Sequence, residues 1–281
     1  MKWSWLIILV FWSPILGQEL TYQSSSKLPQ PLEESSGLVI ASDTSFYTIN
    51  DSGNDPILFE INHSGKIIRK IQIKGQNKDW EELAKDEKGN IYIGDFGNNL
   101  NSRKDLKIYK LNHSDLHLNE IKPTVYSFAY PDQKQFPPEK YELHFDCEAF
   151  VIHEGKAYLF TKNRTEPFDG ISNVYEVNLE SSKTEIKKIG EIQLCKDGWY
   201  PCSVTSASYE NGQLLLLTYA KIVRFTSFDF EHPEENPFDY IPLLKIEQFE
   251  AITQTKNGTL FLTSEKQKII GGNNLYKAVI K

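Results

Sequence analysis

Apolar and polar positions alternate with a period of two along nearly the whole chain, and no long segment shows the i, i+3, i+4 spacing of an amphipathic helix. The apolar runs are short and are divided by turns of Gly, Asn, Asp and Lys, which predicts many short antiparallel strands. These strands fall into repeating groups. A short phrase recurs five times: Ser36-Gly37-Leu38, Glu81-Glu82-Leu83, Glu148-Ala149-Phe150, Ser206-Ala207-Ser208 and Glu250-Ala251-Ile252. Each is followed, about ten residues on, by an apolar run, as in Phe46 to Ile49, Ile91 to Ile93, Ala157 to Phe160, Leu214 to Leu217 and Leu260 to Leu262. A repeat of this length marks one supersecondary unit stacked on copies of itself.

In the first unit the pattern predicts strands at 38–40, 46–49, 57–61 and 67–73. The second gives 83–84, 91–93, 106–111 and 124–130; the third 150–152, 158–161, 173–179 and 185–194; the fourth 208–209, 214–218, 222–228 and 240–246. The fifth supplies only 252–253, 259–263 and 275–280 before the sequence ends, one strand short. The segment Glu19 to Gln23 belongs to no repeat and is the natural donor of the missing strand. The prediction is an all-β chain, a five-bladed β-propeller over residues 18–281, closed by an N-terminal strand that leaves no open edge in the ring.

Composition fits this picture and narrows the partners. The 281 residues are 40% hydrophobic and 25% charged, with a formal net charge of −7 and no Lys/Arg-rich stretch. Such a chain is a poor match for a nucleic-acid backbone or an anionic membrane. Residues 1–17 read as a signal peptide: Lys2, then an apolar run from Trp3 to Trp12, then small residues before a cut after Gly17. The run is short for a bilayer span, so the expectation is a secreted or periplasmic protein with no membrane span after cleavage; an uncleaved anchor is the alternative. In an exported chain Cys195 and Cys202, which flank a turn-rich stretch, suit a disulfide. Cys147 is then left over, as a buried thiol. Sequons stand at Asn62, Asn112, Asn163 and Asn257 and matter only in a glycosylating host.

The first strand of a propeller blade lines the central channel, so the five lead residues Ser36, Glu81, Glu148, Ser206 and Glu250 are expected to gather at its mouth. Three carboxylates in a narrow channel repel one another and lose solvation. Either they take up protons, or they stand in a wide wet channel, or a cation binds. Hard oxygen ligands in irregular geometry suit calcium. A second register, Asp51, Asp95, Lys162, Tyr219 and Glu265, begins the loops on the same face. Asp51 and Asp95 are expected to point over the mouth, whereas Asn54 and Asn98 read as turn residues. Arg103, Lys162 and Arg164 either hold an anion above the metal or are solvated surface charges. Trp80 is a ligand wall or core packing. The sequence has no GxSxG elbow, P-loop, GxGxxG or CxxC pair. His113 and His117 read as surface residues, and His144 is the histidine nearest the mouth.

Three phrases, Glu34-Ser35-Ser36-Gly37-Leu38, Asp79-Trp80-Glu81-Glu82-Leu83-Ala84 and Tyr92-Ile93-Gly94-Asp95-Phe96-Gly97-Asn98-Asn99, resemble secreted bacterial propellers related to the esterase-like phytase and SdiA-regulated groups. The Ser–Glu–Glu–Ser–Glu order is similar to that of the calcium-activated nucleotidases, the apyrases. That resemblance implies calcium surrounded by Ser36, Glu81, Glu148, Ser206 and Glu250. Asn50-Asp51-Ser52-Gly53 stands where apyrases carry Asp-Asp-Arg-Thr-Gly, so the arginine of that phrase is absent and Arg103 or Arg164 would have to replace it. Two readings follow: a calcium-stabilised propeller binding a small anionic ligand or a protein at its mouth, or a calcium-dependent phosphoester hydrolase of nucleotidase or phytase type. In the second, Asp51 or Asp95 would position water and Arg103, Lys162 or Arg164 would hold phosphate.

Overall fold

The computed structural model describes residues 18–179 and 184–281; the expected leader, residues 1–17, lies outside them. Strand β1 (Leu20–Lys27) comes first and is set aside until the end of the chain. Blade I is β2 (Ser35–Ser42), β3 (Ser45–Asn50), β4 (Ile57–Asn62) and β5 (Ile67–Ile73). Blade II is β6 (Trp80–Lys85), β7 (Ile91–Asp95), β8 (Leu106–Leu111) and, after the two-residue β9 (Glu120–Ile121), β10 (Thr124–Phe128). Blade III is β11 (Asp146–His153), β12 (Lys156–Lys162), β13 (Ile171–Asn178) and β14 (Glu185–Gln193). Blade IV is β15 (Val204–Glu210), β16 (Gln213–Thr218), β17 (Lys221–Phe225) and β18 (Asp239–Pro242). Blade V is β19 (Phe249–Gln254), β20 (Thr259–Ser264) and β21 (Asn274–Ile280), completed by β1, which pairs antiparallel with β21 from Leu20↔Ile280 to Lys27↔Asn274. The five-bladed propeller and its N-terminal closure are therefore as expected.

Each sheet buries both faces, one against each neighbour, which is why the second strands read as unbroken apolar runs. In β16, Leu214 and Leu216 pack in the core shared with blade III, while Leu215 and Leu217 pack in the core shared with blade V. Five such inter-blade cores ring the axis. Trp80 belongs to the core between blades I and II and is fully buried, so it is packing and not a ligand wall.

Details of the strands differ from expectation. β15 starts at Val204, four residues earlier than the apolar pattern suggested, because its polar Thr205 and Ser206 are satisfied inside the ring. β18 stops at Pro242, since proline cannot donate to the ladder and Leu244 beyond it has φ 55°. β9 was not foreseen; it pairs parallel with β5 and adds a fifth strand to blade I.

All five inner strands share a bulge. Register against the second strand slips between Ser36 and Leu38, Trp80 and Glu82, Cys147 and Ala149, Val204 and Ser206, and Phe249 and Ala251. The unpaired residues are Gly37, Glu81, Glu148, Thr205 and Glu250. A bulge re-aims side chains next to it, and here it does so at the same level in every blade.

Candidate functional site at the channel mouth

The bulges aim three glutamates into one cavity of about 250 Å³. Glu81, Glu148 and Glu250 line it together with Ser36, Asp51, Lys162, Tyr219 and Glu265 from the two expected registers. Ser206 does not line it. It stands one residue after its bulge, where blade II has Glu82, and its hydroxyl donates to the Glu82 carboxylate. Ser36, one residue before its bulge, donates to the Glu81 carbonyl.

Two further expectations for the mouth are corrected. Asp95 is fully buried, and its carboxylate pairs with Arg103 Nη2 at 2.9 Å. Arg103 also donates from Nη1 to the Gly97 carbonyl at 2.7 Å. The pair therefore fastens the loop after β7 and does not line the mouth cavity. Register explains this: counted from the bulge, Phe96 and not Asp95 is the equivalent of Lys162, Tyr219 and Glu265. Asn98 behaves as the turn residue expected, accepting from the N–H groups of Ser102 and Arg103 at 2.8 Å. His144 is bound to Asp169 at 2.9 Å, away from the cavity lining.

The mouth has two chemically different sides. On one, carboxylate oxygens of Asp51, Asp79 and Glu81 lie within 4.8 Å of one another, and none of the three forms an ion pair among the described residues. Burial raises the Glu81 pKa well above the usual carboxylate range, and the neighbouring Glu148, Asp51 and Asp79 raise it further. Asp79 is pushed up to about 6 by burial and then by Asp51 and Asp146; Asp51 is raised as well, chiefly by burial. Gly97 makes the convergence feasible, because a Cβ there would come within 2.1 Å of Glu81 Oε1 and 2.6 Å of Asp79 Cγ.

On the other side the acids have partners. Lys162 Nζ meets Glu148 Oε1 at 3.0 Å and donates to the Tyr219 hydroxyl at 2.8 Å, and that hydroxyl donates to Glu250 Oε1 at 3.1 Å. Arg164 pairs with Asp146 at 2.7 Å and reaches Glu148 at 3.3 Å. The Gln248 amide donates to Glu250 and to Glu265, both at 2.6 Å. Burial works to lower the Lys162 pKa, but Glu148, Tyr219 and Glu250 outweigh it and leave the ammonium firmly charged. Glu148 is pushed up to about 8 by burial despite Lys162, and Glu265 up to about 10 by burial and by Glu250. This side thus holds two fixed cations, Lys162 and Arg164, beside acids whose pKa values burial raises, and its N–H donors suit an anionic group.

Cys195 and Cys202 are bridged. The loop they close ends in the single helical turn α1 (Trp199–Cys202) and carries Trp199 over this side. Lys162 Nζ lies 5.5 Å and the Arg164 guanidinium 5.7 Å from the Trp199 ring, and Tyr200 stacks on Tyr219 at 5.4 Å. Trp199 keeps 39% of its surface exposed, so it forms a partly open ceiling. Sequence reasoning missed this role, although the aromatic pair inside the cysteine loop signals it. It also missed Asp79, which stands in the phrase Asp79-Trp80-Glu81 but in no repeat register.

The chain matches no family model and no curated protein. It is similar to a glutaminyl cyclase from Myxococcus xanthus at 10% identity and TM-score 0.58, covering 94% of this chain and 97% of that one. A PQQ-bound aldose sugar dehydrogenase from Streptomyces coelicolor gives 8% identity, TM-score 0.58 and coverage of 96% and 100%. A gluconolactonase from Xanthomonas campestris gives 10%, 0.51 and coverage of 88% and 72%. Among the described residues no helix is long and apolar enough to cross a membrane. At these identities the likenesses establish the architecture alone: the chain is a β-propeller similar in fold to enzymes of quite different chemistry.

Proposed function

We propose that this is an exported ligand-binding propeller whose mouth holds a calcium ion on its acidic side and a small anionic ligand beside it. The observation that carries the reading is the trio Asp51, Asp79 and Glu81, whose oxygens converge within 4.8 Å with no ion-pair partner among the described residues. Buried carboxylates so placed need protons or a counter-cation, and an all-oxygen donor set fits a hard divalent ion. Glu81 is the one member shared with the ligand set implied by the apyrase resemblance. Ser36, Glu148 and Glu250 line the same cavity. The anion would meet Lys162 and Arg164 beneath Trp199. When bound, the ion would supply positive charge to the acidic side; the chain's own residues orient the anion and shield it from water.

Calcium-dependent phosphoester hydrolysis remains the second reading, favoured by Lys162 and Arg164 sharing a cavity with Asp51. In it Asp51 would hold the attacking water, while Asp95 and Arg103 take no part.

The test is thermal unfolding of the purified protein in excess EDTA and in millimolar calcium, for the wild type, Glu81→Gln and Asp79→Asn. A ligand bound only by the folded state raises the Tm with concentration. A calcium-dependent rise that both variants abolish supports the site, whereas an unchanged wild-type Tm sinks it. Calcium-dependent phosphate release from nitrophenyl phosphates or nucleotides, lost in Asp51→Asn and Arg164→Met, would move the protein to the second reading.

A further inference from the structure

A second cavity, of about 410 Å³, opens between blades I and II at the end of the ring away from the mouth. Topology fixes that placement. Lys85 ends β6, Gly89 lies in the turn between β6 and β7, Glu60 is near the end of β4, and Arg69 is near the start of β5. The connection between β8 and β10 roofs the cavity with His113, Leu116 and His117. Blade II closes without this connection, because β8 and β10 pair directly. The connection instead crosses to blade I, where β9 pairs with β5 through Gln72↔Glu120 and Ile73↔Ile121. Arg69 Nη2 donates to the Leu116 carbonyl at 2.5 Å, and the Asn90 side chain accepts from the His113 N–H at 2.9 Å. The roof is thus held from both blades.

The charge inside is the reverse of the chain's. One carboxylate lines the cavity, that of Glu60, and it is already answered by Arg69 Nε at 3.3 Å and by the Ser45 hydroxyl at 2.9 Å. Lys85 Nζ donates to the Ile40 carbonyl at 2.9 Å and pairs with no carboxylate among the described residues. Nearby Asp86 is turned to Asn90 and Tyr92. Arg69 and Glu60 balance each other, and Lys85 leaves the lining with one uncompensated positive charge beside two imidazoles. Ala41, Ile91, Leu116 and the Tyr47 ring supply an apolar floor. The volume is in the range of roughly 300–1,000 Å³ typical of small-molecule sites, which combine an apolar lining with a few placed polar groups. The two histidines do not make a zinc site: His117 Nδ1 is bound to the Ser114 carbonyl at 2.7 Å, and the carboxylate, thiol and imidazole clusters among the described residues include neither ring.

We propose that this cavity is a second ligand site, for a small organic anion whose carboxylate or phosphate group meets Lys85 and Arg69 and whose flat or apolar body lies against Tyr47 and Leu116. It is independent of the reading of the mouth, which sits at the other end of the ring.

The experiment is calorimetric titration of the purified protein with benzoate, phenyl phosphate, inorganic phosphate and neutral benzyl alcohol. It is repeated on Lys85→Met, on His117→Asp, which places a carboxylate in the roof, and on the mouth variant Lys162→Met. Lys85 and His117 are exposed, so both variants should fold, and their Tm checks this. The expected result is a saturable binding step for at least one aromatic anion that is weakened by about tenfold or more in Lys85→Met and in His117→Asp and persists in Lys162→Met, which removes only a step belonging to the mouth. Which of benzoate and phenyl phosphate binds identifies the head group. The proposal is overturned if neither binds, if inorganic phosphate or benzyl alcohol binds as well as the aromatic anions, or if no binding step is weakened in Lys85→Met.

Discussion

Glu82 of blade II reaches across the channel to Ser206 of blade IV, two blades away, and takes the hydrogen bond from its hydroxyl. The same carboxylate accepts from the Ala207 N–H at 3.0 Å, from its own neighbour Leu83 at 2.8 Å and from the Leu38 N–H of blade I. Ser206 Oγ accepts in turn from the Ile252 N–H of blade V at 3.1 Å. Glu82 and Ser206 together thereby tie four blades at the axis.

Replacing Glu82 should be costly. Glu82→Ala leaves several buried donors unanswered at roughly 1–3 kcal/mol each, so a loss of about 3 kcal/mol or more is expected in urea unfolding. A loss below about 1 kcal/mol would show that water or relaxation satisfies those donors. Gly37→Ala should also destabilise: Gly37 has φ +66°, and a Cβ there would lie 2.5 Å from the Leu83 nitrogen and 3.0 Å from Glu82 Oε1.

The mouth predicts how stability follows pH. Asp79, Glu148 and Glu265 have folded pKa values raised to about 6, 8 and 10. Their unfolded values are near 4. The folded chain therefore holds protons that the unfolded chain has released, and the stability contributed by these groups falls as pH rises above about 4. The Tm in EDTA should decline from about pH 5 to about pH 8, and calcium should raise it more at the upper end, where fewer protons compete for the oxygens. A Tm in EDTA that climbs over this range contradicts the assignment.

The disulfide should matter more to ligand binding than to folding. Its ring is short, and removing it as Cys195→Ser/Cys202→Ser should cost about 2 kcal/mol. Freed from it, Trp199 leaves Lys162 and Arg164. Acrylamide should then quench Trp fluorescence more strongly, and affinity for an anion at the mouth should drop. Unchanged quenching would mean that the ring contacts alone hold the ceiling.

Cys147 should be inert in the native protein. It is fully buried with Sγ 3.4 Å from the Ala149 carbonyl, and burial pushes its thiol pKa well up. Ellman's reagent should find no thiol until denaturant is added, and then one per chain; rapid native reaction would indicate an opening of the core between blades II and III.

The propeller was legible because both faces of each blade are buried: the alternation that fills two cores at once makes runs such as Leu214 to Leu217 conspicuous. The closing strand was legible from what the fifth repeat lacked. The site was legible only to within one residue. Glu81, Glu148 and Glu250 share the bulge position, but Ser36 and Ser206 flank theirs on opposite sides, and Asp95 is displaced in the same way. A bulge leaves no mark in composition, and a slip of one residue redirects a side chain. Glu82 was hidden for that reason beside Glu81. Asp79 lies in a connection, where no period exists to flag it.

The seam between β1 and β21 gives the ring a mechanical weak point. Glu19 and Lys281 face each other across its far end, each N–H bonded to the other's carbonyl at 3.1 and 3.0 Å. Tension applied at these two residues loads the ladder one rung at a time, from Leu20↔Ile280 toward Lys27↔Asn274, and peels it like a zip, whereas tension from opposite ends would load every rung together. Pulled from there, the propeller should lose β1 from the outer edge of blade V first, before the strands of any other blade separate.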